Sequence, residues 1–424
     1  SMHTKTILNT GLRLITIPMQ DTETVTVLVL VKTGSKYETL ENSGISHFLE
    51  HMLFKGTANR KTALEVIEPI DEIGGIANAF TGEEYTGYYA KVHHKYIDVA
   101  IDLVSDIYLN SLIPSKEIEK ERGVIIEELN MYLDNPMMYI SDVWKSLLYG
   151  DQPAGRDIIG TKETILSISQ KQILDYMKFQ YTASNTIVSI AGKINEKQVI
   201  EKIEVAFKNI SRSKAYDKEC VIEKQKEPNV LIHKKETGQT QIALGFRGYN
   251  LFHKDRFILE TIASLLGGGM SSRMFLEVRE RQGLAYYIKT YSESDTDTGN
   301  FVTYCGLRTE KIDQGITSIL KEYKKLVLEK VSEKELQKAK NYLKGKTVLS
   351  LESSNAKANF YGLQELLEEE IKETNELFKK IDRVTIEDVQ RVAQGVFTFD
   401  KLNLAIIGLF ENKDKFKKLL WDIK

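Results

Sequence analysis

The chain predicts an α+β fold used twice: two homologous domains of a duplicated fold, each a mainly antiparallel β-sheet packed with helices. Three observations predict it. At 424 residues the chain is too long for one ordinary core and suits two domains. Near residue 211 the apolar runs give way to Ser-Arg-Ser-Lys-Ala-Tyr-Asp-Lys and a charged stretch through Glu227-Pro228, a composition that reads as a solvated linker. On either side of it the same elements recur in the same order, which is the mark of a repeat. The expected division is therefore 1–210, a linker at 211–228, and 229–424.

The repeat can be followed element by element. The strand-like run from Thr86-Gly87 and the helical pattern Ile97 to Leu109 have counterparts in Thr298-Gly299 onward and Ile312 to Leu326, with an offset of 212 between the glycines. Ser115, followed by an acidic first turn, reads as the start of a capped helix. It is echoed by Ser332 at an offset of 217. The apolar run Asn185 to Gly192, ahead of an amphipathic helix, is echoed by Asn403 to Gly408, and Gly192 and Gly408 lie 216 apart. The order is not the strict β-α alternation that builds a parallel sheet, which leaves an α+β domain.

Composition excludes several classes of partner. Lys plus Arg (58) nearly balances Asp plus Glu (60), so at a net charge of -2 no whole-chain field favours nucleic acid or anionic lipid. No run approaches the roughly 18 consecutive apolar residues of a membrane helix, and no basic-then-apolar leader opens the chain, so the expected location is cytoplasmic. Cys220 and Cys305 are the only cysteines and lack metal or redox spacing. Two free thiols in a reducing compartment are expected.

Chemistry is concentrated in Gly44-Ile-Ser-His-Phe-Leu-Glu-His-Met-Leu-Phe54. The run is rich in helix formers, and Ser46 is a candidate cap. On a helix a four-residue step turns about 400°, so His47 and His51 project from one face, where two imidazoles can meet one zinc. Glu50, between them, is placed to act on a water without being a ligand, the inverted order of HExxH. A catalytic zinc needs a third protein ligand. The candidates Glu117, Glu119, Glu121, Glu127 and Glu128 crowd one helical segment. Glu121 and Glu128 are nearly two turns apart and share a face, while Glu127 points about 100° away, and helical geometry alone does not choose between 127 and 128.

The run Gly44 to Thr57, with Glu121-Arg-Gly-Val-Ile-Ile-Glu-Glu128 downstream, resembles the pitrilysin, insulin-degrading enzyme and mitochondrial processing peptidase family. In that family 76 residues separate the second histidine from the third ligand, and residues 52 to 127 fill that gap here. The resemblance thus implies one zinc per chain on His47, His51 and Glu128, with Glu50 as general base and Glu121 supporting the metal site. It also implies that the strand around Asn78, Ala79 and Phe80 pairs with the backbone of the substrate, a mode that reads an extended peptide without fixing its sequence. Phe54 resembles a residue at the rim of a substrate side-chain pocket.

The second half has no HxxEH. Leu266 to Tyr286 resembles the family's C-domain signature, in which an Arg and a Tyr seven apart face the zinc. Arg279 and Tyr286 fit that spacing, whereas Arg273 and Arg281 do not. Such a pair supplies hydrogen bonds to an oxyanion as it forms. Gly267-Gly-Gly lacks the Lys-Ser/Thr of a phosphate loop and reads as a tight turn, and Gly283 is expected to end the helix before Tyr286. Longer family members carry four such domains in one chain; with two, this chain resembles a half. A homodimer enclosing short or unfolded peptides is implied. The alternatives are a presequence-processing peptidase and a non-catalytic subunit of a heterodimeric peptidase.

Overall fold

The structure, a computed structural model, describes residues 2–424 and divides into two units, each with its own sheet. The first sheet contains β1 (Thr4–Ile7), β2 (Arg13–Pro18), β3 (Thr24–Val31), β4 (Ile76–Thr81), β5 (Thr86–His93) and β6 (Thr186–Gly192), in the order β1-β2-β6-β3-β5-β4. The second contains β7 (Asn229–Lys234), β8 (Thr240–Arg247), β9 (Ala285–Ser294), β10 (Gly299–Leu307) and β11 (Leu402–Gly408), in the order β7-β11-β8-β10-β9. Without β1, the two orders correspond strand for strand. In each sheet one pair is parallel, β2 with β6 and β7 with β11, and every other pairing is antiparallel. The duplicated α+β fold expected from sequence is the observed one.

Burial on two faces explains why the central strands read as continuous apolar runs. In Thr24-Val-Thr-Val-Leu-Val-Leu-Val31 every residue after Thr24 is buried. The helix Ser354–Glu368 covers one face of this sheet through Ala358, Tyr361 and Leu366 against Ile15, Leu28, Leu30 and Ile187. Polar pins set its position: Ser189 donates to the Ala358 carbonyl at 2.8 Å, and the hydroxyls of Thr26 and Ser354 lie 2.8 Å apart. The helix Ile97–Asn110 is fixed to the sheet by Tyr108, whose hydroxyl lies 2.6 Å from Thr186 Oγ1. In the second unit the helix Pro136–Tyr149 packs Ile140, Val143, Trp144 and Leu148 on Ala243, Val302, Ala405 and Ile407. There the Trp144 indole donates to Asn300 Oδ1 at 3.0 Å.

These two covering helices have changed sides. Unit one consists of residues up to Asn130, Asp157–Glu219 and Val348–Glu373, and unit two of Met131–Arg156, Cys220–Thr347 and Thr374–Lys424. The chain therefore passes between units five times, once between Glu219 and Cys220. Residues 211–228 form no helix or strand. Glu227 and its neighbours are nonetheless tethered: Gln225 donates to the Leu402 carbonyl at 2.8 Å and accepts from Arg247 Nε at 2.8 Å.

Among the described residues no helix is long and apolar enough to cross a membrane. Both cysteines are free: Cys220 is exposed, whereas Cys305 is buried and its thiol pKa is pushed up by that burial.

Candidate metal centre

The motif run forms a helix of eight residues, Ile45–Met52. Ile45, Phe48, Leu49 and Met52 turn into the core of unit one, leaving His47, Glu50 and His51 on the other side. Ser46 does not cap it. The helix opens at Gly44 without a side-chain cap, and the Ser46 hydroxyl sits within the first turn, 2.6 Å from Tyr176 Oη. The capping group comes from a preceding loop: Glu38 accepts from the Gly44 N–H and the Ser46 N–H, both at 2.8 Å. Glu38 is buried. Desolvating a carboxylate costs several kcal/mol, and hydrogen bonds to a charged group return about 1.5–3 kcal/mol each. The favourable helix end adds about 1 kcal/mol. The arrangement holds because both oxygens are satisfied, and it fixes the axis on which the histidines ride.

Glu121 and Glu128 come from the helix Ser115–Leu133. Glu128 Oε1 lies 3.3 Å from His47 Nε2 and Oε2 lies 3.2 Å from His51 Nε2, and one donor atom from each of the three residues falls within 4.8 Å of the others. Glu127, the other candidate, is exposed. The hydrogen bonds from His47 and His51 hold the Glu128 carboxyl down to about 2 against the cost of burial. Burial disfavours a charged His51, but the bonds to Glu128 and Glu121 outweigh it and raise its pKa. His51 Nδ1 meets Glu121 Oε2 at 3.0 Å, and Lys55 holds the second Glu121 oxygen at 2.9 Å.

This set fits a zinc ion. Two imidazoles and one carboxylate converge, three protein ligands of the kind that hold catalytic rather than structural zinc. Glu121 stands where a ligating histidine finds its outer partner, on the nitrogen turned away from the metal. His47 departs from that pattern, since its Nδ1 is buried with no hydrogen-bond partner. Its Nε2 is then its one interacting nitrogen, and that atom is aimed at the shared point.

Glu50 is half-buried, and the Thr81 hydroxyl donates to its Oε2. Thr81 ends β4, the edge strand that contains Asn78, Ala79 and Phe80 and pairs only with β5. The Ala79 N–H is taken by the Asn78 side-chain oxygen at 2.8 Å rather than by β5. Phe80 lies across from Gly87, where a Cβ would meet the Phe80 ring at 2.2 Å; a residue larger than glycine would displace that ring. Phe54 is half-buried, its ring centroid 6.5 Å from that of the buried Tyr88. Thr81, Glu38 and Lys55 are contributors that sequence reasoning missed. Thr81 alone had a signal, its place at the end of the strand already singled out.

In the second unit Arg279 lies in a π-helical stretch, Phe275–Arg281, with its guanidinium 4.7 Å from the centroid of the Phe275 ring. Arg273 is committed to Glu335 by two bonds of 2.7 and 2.6 Å, and Arg281 Nε bonds Glu277 at 2.7 Å. Arg279 has no carboxylate partner among the described residues. Gly283 ends the stretch in the left-handed region at φ 63°, and Tyr286, near the start of β9, is 71% exposed.

A second grouping of metal-binding types, Glu23, His93 and His94, is built differently. Lys193 bonds Glu23 Oε1 at 2.8 Å, and the Lys95 N–H is accepted by His93 Nδ1 at 3.2 Å. Its donors are already engaged by a cation and an amide, and two of its three residues are exposed. The grouping on Glu128 is the candidate centre.

Comparisons with known proteins bear on the family of the chain. A family model described as Insulinase (Peptidase family M16) matches residues 13–162, and one described as Peptidase M16 inactive domain matches residues 167–343. The chain is 37% identical to an uncharacterized zinc protease of Bacillus subtilis, over 92% of this chain and 94% of that one. It is 32% identical to an uncharacterized zinc protease of Streptomyces coelicolor, over 96% and 90% respectively. Among solved structures it is similar to a protease from Helicobacter pylori, with a TM-score of 0.87, 25% identity and coverage of 96% and 99%. A peptidase M16 inactive domain from Pseudomonas fluorescens, 16% identical with a TM-score of 0.88 over 96% and 98%, shares the fold. With relatives this similar over nearly its whole length, the chain belongs to the insulinase family, peptidase family M16.

Proposed function

We propose that the protein is a zinc-dependent endopeptidase acting on short or unfolded peptides. The observation that carries this reading is the convergence of His47, His51 and Glu128 beside a separately held Glu50. Zinc bound to such a set supplies Lewis acidity toward the scissile carbonyl and acidifies water toward neutral pH. Glu50 takes the proton of the attacking water and passes it to the leaving amine. Glu121 holds His51 in one orientation through Nδ1. Asn78, Ala79 and Phe80 on the open edge of β4 take the peptide as an added strand, and Phe54 borders a side-chain pocket. Arg279 and Tyr286 donate to the oxyanion, a role for which Arg279's lack of a carboxylate partner leaves it available. The same reading carries one zinc per chain, a cytoplasmic location and a homodimer enclosing its substrate, the last to be checked by mass in solution.

The deciding experiment is Glu50→Gln, with zinc measured alongside peptide hydrolysis. Zinc should stay at one per chain while the rate falls by about 10²–10⁴-fold. Hydrolysis at the wild-type rate would refute the mechanism.

A further inference from the structure

We propose that Thr81 is a positioning residue for the Glu50 base, so that the strand receiving the peptide also fixes the group that moves the proton. This rests on the peptidase reading above. A glutamate side chain has several free torsions, and holding it in one rotamer costs conformational entropy. A hydroxyl bonded to one carboxylate oxygen selects the rotamer and leaves the other oxygen open to accept a proton. The Thr81 hydroxyl donates to Glu50 Oε2, and it is the one hydroxyl that does so among the described residues. The nearby phenols of Tyr88 and Tyr181 bond one another at 2.7 Å.

Thr81 is itself well fixed. It is β-branched and stiff at χ1, and it pairs with Thr86 in the β4–β5 ladder. The turn that follows is closed by the Gly82 N–H on the Tyr85 carbonyl at 2.7 Å, and Thr86 is anchored by its hydroxyl on the Thr33 carbonyl at 2.9 Å. Asn78, three residues earlier on the same strand, lies on the exposed edge. A peptide laid along that edge bears on the element that sets the base, and a shift of about 1 Å at a reacting group can cost 10²-fold in rate.

The test uses the full zinc-loaded chain with Thr81→Val, which keeps shape and strand preference but removes the hydroxyl, and Thr81→Ser, which keeps the hydroxyl. Hydrolysis of a quenched fluorogenic peptide gives kcat and KM, with zinc content and melting temperature measured on the same samples. The expected result is a kcat about 10- to 100-fold lower for Thr81→Val, with KM, zinc and melting temperature held, and recovery of most of the rate in Thr81→Ser. An unchanged kcat in Thr81→Val overturns the proposal, as does a loss that tracks zinc or melting temperature, or a Ser variant as slow as Val. The two readings fail separately: an active Thr81→Val beside an inactive Glu50→Gln sinks only the positioning role, whereas an active Glu50→Gln sinks the mechanism itself.

Discussion

The helix that follows the central strand has opposite fates in the two units. After β3, the eight residues Ile45–Met52 bury one side and keep His47, Glu50 and His51 on the other. After β8, the helix Arg256–Gly267 is buried along most of its length, with Ile258, Leu259, Ile262, Ala263, Leu265 and Leu266 in the core. The long acidic helix diverges in the same way: at an offset of 217, the positions of Glu121 and Glu128 correspond in sequence to Lys338 and Gly345. Fully burying a Leu or Ile stabilises by about 1.5–3 kcal/mol, so a helix face given to donors forgoes several such contributions. At this position one copy of the frame presents the candidate metal donors and the other contributes burial.

The largest effect that could break this comparison comes from separating the sequence halves. Residues 1–210 alone lack the helix Ser354–Glu368 that covers their sheet, and 229–424 alone lack Pro136–Tyr149 with the fully buried Trp144. Neither half should show a cooperative thermal transition or near-ultraviolet dichroism. A sharp transition in 1–210 would mean that the exchanged helix is dispensable.

A paired substitution sharpens the comparison at the two helices. His51→Ala should abolish zinc binding and hydrolysis with little change in the denaturation midpoint of the metal-free protein. Leu259→Ala should cost about 2–5 kcal/mol in urea unfolding yet leave zinc stoichiometry and the rate per folded chain intact. Equal effects of the two on stability would erase the division of labour.

A smaller contrast lies within the second unit. Arg279→Ala should lower kcat by about 10²-fold, the size of a lost oxyanion donor. Arg281→Ala breaks only its surface pair with Glu277, where solvent screening leaves little to lose, and should leave kinetics unchanged. Parallel losses in both variants would point to a disturbed π-helix rather than to a role for one guanidinium.

How much of this could be read from sequence depended on range. The repeat was legible because its offsets hold over many elements, and the His47–His51 pair because a helix turns periodicity into geometry. Glu127 and Glu128 are neighbours on that same periodicity, so helical spacing left both open, and burial separates them in space. Glu38 was invisible: it caps the motif helix from outside, and its oxygens replace a cap expected of Ser46. Phe275–Arg281 reads as ordinary helix, and its widened turn shows in bonds such as the Gln282 N–H to the Glu277 carbonyl at 3.2 Å. Such stretches recur at functional sites. The exchange of Pro136–Tyr149 and Ser354–Glu368 was equally hidden, because an amphipathic pattern says that a face is covered without naming the sheet that covers it.

That exchange bears on how the chain came to be. The swapped helices start 218 residues apart, close to the period of the whole repeat. A single-domain ancestor whose two copies traded this helix would already be a swapped dimer. Joining its copies end to end yields the present order of segments with only a tether at 211–228 added. In such an ancestor the tether would be the last part added, and each sheet would already depend on the other copy's helix.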